Sequence, residues 1–193
     1  MEPELFLKKM EFENLLKAAK GDRERCILLL LAGAGLRAGE LVKIRIEEID
    51  LEEGYLHILH GKGDKRRAVV LLPLVIQTLG TYLAGRASGW LFPSKAGDHL
   101  TTRQLQNIID KIALHAGIQQ IKFVDKAGRP RHRITPHLLR HSFAVWSLNA
   151  PVPVTLSDLQ EQLGHSSLTT TGIYLKASPN HRRENYIKSG LLN

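Results

Sequence analysis

Apolar positions along the chain repeat with two different periods, and each change of period marks an element. Over residues 5–19, Leu5, Phe12, Leu15, Leu16 and Ala19 fall at helical spacing. Gly21 and Asp22 interrupt that pattern, and Asp22 is placed to cap a second helix running to about residue 34. This helix carries ILLLLA at 27–32, apolar on most faces, which predicts a central place in the core. Gly33-Ala34-Gly35 stops it, and a short helix follows over about 39–44. Between 48 and 72 the period drops to two: residues 49–51, 55–60 and 66–72 read as short strands, punctuated by Gly54 and by Gly61-Lys62-Gly63-Asp64. They predict a small antiparallel sheet with Lys62 at the tip of its second hairpin.

Beyond Pro73 the helical period returns over 74–83. A connector follows whose Trp90-Leu91-Phe92 reads as core packing rather than base stacking. Thr101-Thr102-Arg103-Gln104 has the form of a capping box, and Leu105, Ile108, Ile109, Ile112 and Ala113 make a core stripe that stops at Gly117. IQQIKFVDKAGRPRHR at 118–133 is the least regular stretch and reads as a loop. Thr135 then caps a helix over about 136–148, with Pro136 suited to its first position. Pro151 and Pro153 make a turn into a last helix, begun by Ser157, completed as a box by Gln160 and closed by Gly164 at C′. The fold class is mixed, mainly α with a small three-stranded antiparallel β-sheet.

At 193 residues the chain suits one domain with a substantial core, and 43% hydrophobic with 24% charged residues is ordinary for a globular protein. The charge balance is less ordinary. Lys and Arg number 27 against 19 Asp and Glu, a net +8, with a pI near 9.7. Such an excess favours a polyanion such as nucleic acid as partner, although a basic soluble protein needs no such partner. Cys26, the single cysteine, rules out an internal disulfide framework, and its apolar neighbours mark it as a buried, inert thiol. No apolar run is long enough to span a bilayer and no signal-peptide pattern opens the chain, so the expectation is a soluble cytoplasmic protein away from membranes.

Candidate chemistry concentrates between Thr135 and Tyr174. His137 and Arg140 are an i,i+3 pair on one helical face, His165 follows the C′ glycine, and Tyr174 lies nine residues further on. Two imidazoles, a guanidinium and a phenol in forty residues suit the handling of a phosphodiester by a tyrosine nucleophile. Each residue also has a plainer reading: Arg37 as a surface arginine, Lys62 as a solvated turn lysine, His165 as a surface histidine, Tyr174 as a core tyrosine. In the functional reading Arg37, fixed on a tight turn, offers a planar fork to phosphate oxygens. Glu40 either orients an active-site partner or caps the short helix. Lys62, Lys65, Arg66 and Arg67 form a basic finger able to reach along a DNA groove, with Lys62 able to protonate a leaving oxygen. GKGDK is no phosphate-cradling P-loop, since it lacks the upstream glycine spacing and the Ser/Thr after Lys. Arg129, Arg131 and Arg133 make either nonspecific phosphate contacts or a solvated loop. His137 and His141 at i,i+4 resemble half of a zinc site, but Leu138 stands where a zinc peptidase needs its Glu; no metal site is assigned.

Taken together, Arg37 in AGAGLRAGEL, Lys62 in HGKGDKRR, His137-x-x-Arg140, Leu163-Gly164-His165 and Tyr174 nine residues on resemble the tyrosine recombinases (phage integrases), over nearly the whole chain. The resemblance implies the tyrosine recombinase catalytic-domain fold, that of the DNA breaking–rejoining enzymes. It implies site-specific strand cleavage and rejoining of double-stranded DNA through a 3′-phosphotyrosyl intermediate. In that scheme Tyr174 is the nucleophile, Arg37, Arg140 and His165 hold the phosphate oxygens, Lys62 is the general acid and His137 assists proton transfer. Energy held in the covalent link removes any need for ATP or a metal cofactor. Family members usually carry a preceding helical DNA-clamping domain, whereas here residue 5 already resembles the first catalytic-domain helix. The expectation is therefore a single catalytic domain over 1–193, with its core at about 5–176 and a tail at 177–193 docking on a neighbouring subunit. A homotetramer on DNA, monomeric when free and nucleoid-associated when bound, follows from the same resemblance. Two other readings use the same residues: a recombinase-derived DNA-binding regulator that no longer cleaves, and strand relaxation of the type IB topoisomerase kind.

Overall fold

A computed structural model describes residues 6–59, 66–128 and 130–164. Seven helices and five short strands order the described residues: α1 (Lys9–Ala18), α2 (Asp22–Ala32), α3 (Ala38–Leu41), β1 (Ile49–Asp50), β2 (Tyr55–Ile58), β3 (Arg67–Val70), α4 (Pro73–Leu83), α5 (Thr102–His115), β4 (Ile121–Val124), β5 (Pro130–His132), α6 (Pro136–Leu148) and α7 (Leu156–Leu163). Mainly helical with a three-stranded antiparallel sheet in the order β1-β2-β3, it matches the fold class read from the sequence.

The centre of the molecule is α2. Every residue from position 26 to its end at Ala32 is buried, and it packs on α4 and α6. A helix apolar all round can only be satisfied by neighbours on all sides, which is why the other elements wrap it. Cys26 lies fully buried on this helix. Its thiol is pushed up to about 12, chiefly by burial and further by the Asp22 charge, so it stays protonated and inert. In the sheet, Leu56 and Ile58 of β2 point inward while Tyr55 and His57 face out, and Leu56 lies opposite buried Val69 of β3. Leu91 and Phe92 are buried core residues, with Trp90 at the edge under the Arg45 guanidinium, 5.0 Å from the ring centre.

The segment before α1 is held by α6: Ser142 Oγ accepts from the Leu7 N–H (2.8 Å), and Trp146 Nε1 donates to the Leu7 carbonyl (3.0 Å). At α6 itself Thr135 Oγ1 accepts from the Leu138 N–H (3.1 Å) and Pro136 occupies the first turn. The Thr101 box is also present, its Oγ1 accepting from the Gln104 N–H (3.1 Å) while Gln104 Oε1 accepts from the Thr101 N–H (2.8 Å). Two helix caps differ from the sequence reading. Asp22 is the first helical residue and Gly21, at φ 134°, is the cap. Thr155, not Ser157, caps α7, its Oγ1 accepting from the Asp158 N–H (3.1 Å).

The larger correction falls within 118–133, read as a loop, where β4 and β5 pair as an antiparallel ribbon. All four β4 residues are exposed, so the strand lacks the one-sided alternation that betrays a half-buried strand. Its turn did leave a signal in Asp125-Lys126-Ala127-Gly128. Asp125 Oδ1 accepts from the Ala127 N–H (2.9 Å), and Gly128 takes the left-handed conformation at φ 73°. No described helix is long and apolar enough to cross a membrane.

Gly35 sits where α2 turns toward α3, at φ 71°. A Cβ there would fall 2.5 Å from Phe143 Cδ1 and 2.9 Å from Leu163 Cδ2, joining backbone strain to a clash with α6 and α7. Gly35→Ala is therefore expected to destabilise the fold by about 2–4 kcal/mol, read as a lowered urea midpoint with an unchanged slope.

Candidate active site

The site is built at the C-terminal end of α7. A helix leaves its last carbonyls without intrahelical donors, and these carry the negative end of the macrodipole. In α7 the chain closes on Gly164 in the left-handed conformation, φ 63°. Three consecutive carbonyls at this end each accept from a different arginine. Gln162 O takes Arg67 Nε (3.1 Å), Leu163 O takes Arg140 Nη2 (2.8 Å) and Gly164 O takes Arg37 Nη2 (2.8 Å). Residues 127 and 23 positions away in sequence thus meet on neighbouring peptide units.

Arg37 and Arg140 therefore meet at one helix end, on adjacent carbonyls. Arg140 is 5% exposed on α6, and its Nη1 also donates to the Gly35 carbonyl, tying α6 to the turn before Arg37. Arg37 caps α3 with extended backbone, and its side chain is 29% exposed. His137, one helical turn before Arg140, is exposed at the start of α6. His141, on the same helix, is half-buried. Its ring is held below the usual imidazole range, by burial first and by the neighbouring His137 second, and so stays neutral. Among the described residues no group of three or more His, Cys, Asp or Glu could hold a metal ion. Lys62, Lys65, Arg129, His165 and Tyr174 lie outside the described residues.

Glu40, left open in the sequence reading, is the hub beneath the arginines. Its carboxylate accepts a two-pronged contact from Arg67 (Nη1 to Oε1 2.8 Å, Nη2 to Oε2 2.9 Å), together with the Arg37 N–H (2.9 Å) and Arg37 Nη1 (2.8 Å). It both caps α3 and orients Arg37, so the two readings of Glu40 are one arrangement. Burial alone would push this carboxyl up. The Arg67 hydrogen bonds and charge, joined by the hydrogen bonds from Arg37, outweigh burial and hold it at about 2.

The peripheral arginines divide. Arg66 is exposed. Arg131 is 52% exposed and pairs with Asp125 (2.8 Å) on the ribbon. Arg133 is turned inward instead, its Nη1 and Nη2 reaching Glu11 of α1 at 2.7 and 3.2 Å. Arg67, expected on a basic finger, is also turned inward, with its side chain 8% exposed. Alternation on β3 accounts for this: Arg67 and Val69 are two residues apart and therefore share a face, the one on which Val69 is buried. Gln162 also went unread; its side chain binds both backbone groups of Val70 (2.9 and 3.0 Å) and the Ala34 carbonyl (3.1 Å), lashing α7 to β3 and to the end of α2.

The chain is similar to known proteins over most of its length. The family model described as phage integrase family matches residues 5–181. The chain is 33% identical over 187 residues to the tyrosine recombinase XerA of Pyrococcus horikoshii, covering 94% of this chain and 60% of that protein. It is 35% identical over 179 residues to the tyrosine recombinase XerC of Oceanobacillus iheyensis, covering 88% and 54%. Among solved structures, the crystal structure of XerA recombinase superposes with a TM-score of 0.77 at 31% identity, over 95% of this chain and 64% of that one. The XerH site-specific recombinase in a pre-cleavage complex with its difH substrate gives 0.68 at 27% identity, over 90% and 51%. The chain thus spans about 60% of the length of the XerA relative.

Because Glu40 is held at about 2 against an ordinary 4.5, its ionised form stabilises the fold above pH 4.5, and that contribution is lost as pH falls through about 2. Glu40→Gln leaves Arg67 buried without its counter-charge and is expected to cost roughly 2–4 kcal/mol at neutral pH. The gap between the urea midpoints of the two proteins should then narrow as the pH drops below 4.5.

Proposed function

The chain belongs to the phage integrase family, and from that premise we propose that it is a site-specific tyrosine recombinase, cleaving and rejoining double-stranded DNA through a 3′-phosphotyrosyl intermediate. The observation that carries this is the convergence of Arg37 and Arg140 on the adjacent carbonyls of Gly164 and Leu163, the two residues that precede His165 in the chain. Two guanidiniums fixed side by side can take the non-bridging oxygens of one phosphate, the charge that phosphoryl transfer must stabilise.

In this mechanism the Tyr174 hydroxyl oxygen bonds to phosphorus as the bond to the 5′ oxygen breaks. The phenolic proton leaves with help from His137, and Lys62 delivers a proton to the departing 5′ oxygen. Arg37, Arg140 and His165 hold the equatorial oxygens as negative charge develops. Their positive field also lowers the cost of ionising a phenol whose ordinary pKa is about 10. A 5′-hydroxyl of another strand then attacks the phosphotyrosine, restoring the backbone and freeing Tyr174. One phosphodiester is exchanged for another, so the reaction needs neither ATP nor metal. The net charge of +8 and exposed cations such as Arg66 and Arg131 suit a DNA partner. We read residues 1–193 as a single catalytic domain acting within a homotetramer on DNA, its tail at 177–193 docking on the next subunit, and working in the cytoplasm at the nucleoid.

The test uses the 193-residue chain and a pool of nicked duplexes with a randomised central block. Protein–DNA adducts that survive denaturant are captured and sequenced. The expected result is an enriched site and a covalent adduct that Tyr174→Phe abolishes while band retardation persists. A salt-sensitive shift without any adduct would identify a regulator instead, and an adduct surviving Tyr174→Phe would sink the nucleophile assignment.

A further inference from the structure

We propose that Arg67 is a positioning residue for the reaction, acting through Glu40 on Arg37 and through the Gln162 carbonyl on the end of α7. This deepens the recombinase reading and rests on it. Lys62, five residues earlier in the chain, is the general acid of the proposed mechanism, and Arg67 ties the strand that follows it to Glu40, Arg37 and the end of α7.

Three observations place Arg67 inside the machinery. The first is burial: the side chains of Arg67 and Glu40 are 8% and 5% exposed, and the fork meets both carboxylate oxygens at once. A carboxylate gripped along both oxygens by one planar partner cannot rotate. Its two remaining hydrogen bonds, to the Arg37 N–H and to Arg37 Nη1, are thereby aimed. Glu40 thus transmits the orientation of Arg67 to Arg37.

The second is the reach of the same guanidinium to α7. Its Nε donates to the Gln162 carbonyl, two residues before Gly164, whose own carbonyl receives Arg37. One planar group therefore fixes both the acceptor that orients Arg37 at its base and the helix end that receives it at its tip.

The third is space. A Cβ on Gly164 would fall 2.8 Å from Arg67 Nη1 and 2.9 Å from Cζ, so the bare backbone of Gly164 leaves the volume in which the guanidinium lies. The glycine serves the left-handed turn at φ 63° and the passage of Arg67 together. Lysine at position 67 supplies charge at one point and cannot satisfy two carboxylate oxygens and a carbonyl simultaneously. Because in-line transfer is sensitive to sub-ångström misplacement, loosening this frame should slow chemistry more than it weakens DNA binding.

The experiment uses the full chain, the randomised nicked-duplex pool and Arg67→Gln and Arg67→Lys variants. At saturating DNA, adduct formation by Arg67→Gln is expected to slow by about tenfold or more. Affinity for the pool, measured in a Tyr174→Phe background, should change by less than about threefold. Arg67→Lys should resemble Arg67→Gln, since charge is restored without the fork. A second arm needs no DNA. In the free 15N-labelled protein the Arg37 Nε–H resonance should be dispersed in wild type and collapse toward the exposed-arginine position in both variants. Should Arg67→Gln lose its folded amide spectrum, Arg67→Lys carries both arms. An unchanged Arg37 resonance, adduct formation within about twofold of wild type, or parallel losses in rate and affinity would each overturn the proposal. If wild type itself yields no adduct, the recombinase reading fails, and the Arg37 resonance alone decides whether Arg67 orders Arg37.

Discussion

The last three carbonyls at the end of α7 are the constraint on which the rest of the site depends. A helix terminus needs donors for its orphan carbonyls, and buried guanidiniums need acceptors in fixed directions. Gln162, Leu163 and Gly164 satisfy both needs by receiving Arg67, Arg140 and Arg37 in turn. These arginines come from β3, α6 and the turn before α3, so one helix end collects segments otherwise far apart in the chain. The arrangement also follows the macrodipole, which favours cations at a C-terminus.

What keeps this end in place is less visible but equally physical. Leu159 and Leu163 of α7 pack with Ala144, Val145 and Leu148 of α6 in a cluster separate from the main core, with Phe143 beside it. Gly35 lets Phe143 and Leu163 close over the turn, and its carbonyl receives Arg140 from beneath. The Gln162 side chain, bonded to both backbone groups of Val70, binds α7 to the sheet as an added partner for β3. Apolar contact sets the distance of α7 from α6, and amide hydrogen bonds set its register against β3.

Much of this was legible in the sequence because it rests on local rules. The Thr135-Pro136 start, the Thr101 box, the all-round apolar α2 and the three strands each follow from residue type and spacing, and each is present. The meeting of Arg37 with Arg140 came from motif order and not from any local rule. What stayed hidden depended on tertiary partners. Nothing in KRRAVV says that Arg67 turns inward until the buried side of β3 is known. Nothing near Arg133 announces Glu11, 122 residues away. The β4–β5 ribbon was missed for the opposite reason: it has no buried face, so no hydrophobic alternation records it.

The kind of acceptor each arginine meets decides what it can still do. A carboxylate satisfies a guanidinium and also cancels its charge; a carbonyl satisfies it and leaves the charge in place. Arg67, the more buried partner of Glu40, has its charge answered by that carboxylate. Arg140 donates to the neutral carbonyls of Gly35 and Leu163, and Arg37 shares Glu40 while reaching the neutral carbonyl of Gly164. Arg67 and Arg37 share the one Glu40 carboxylate, and two guanidiniums against one carboxylate leave that trio net positive. At the end of α7, orientation is fixed by carbonyls that leave the positive charge in place. In the proposed reaction, a phosphate entering beside Arg37, more exposed than Arg140, meets guanidiniums whose directions are already set.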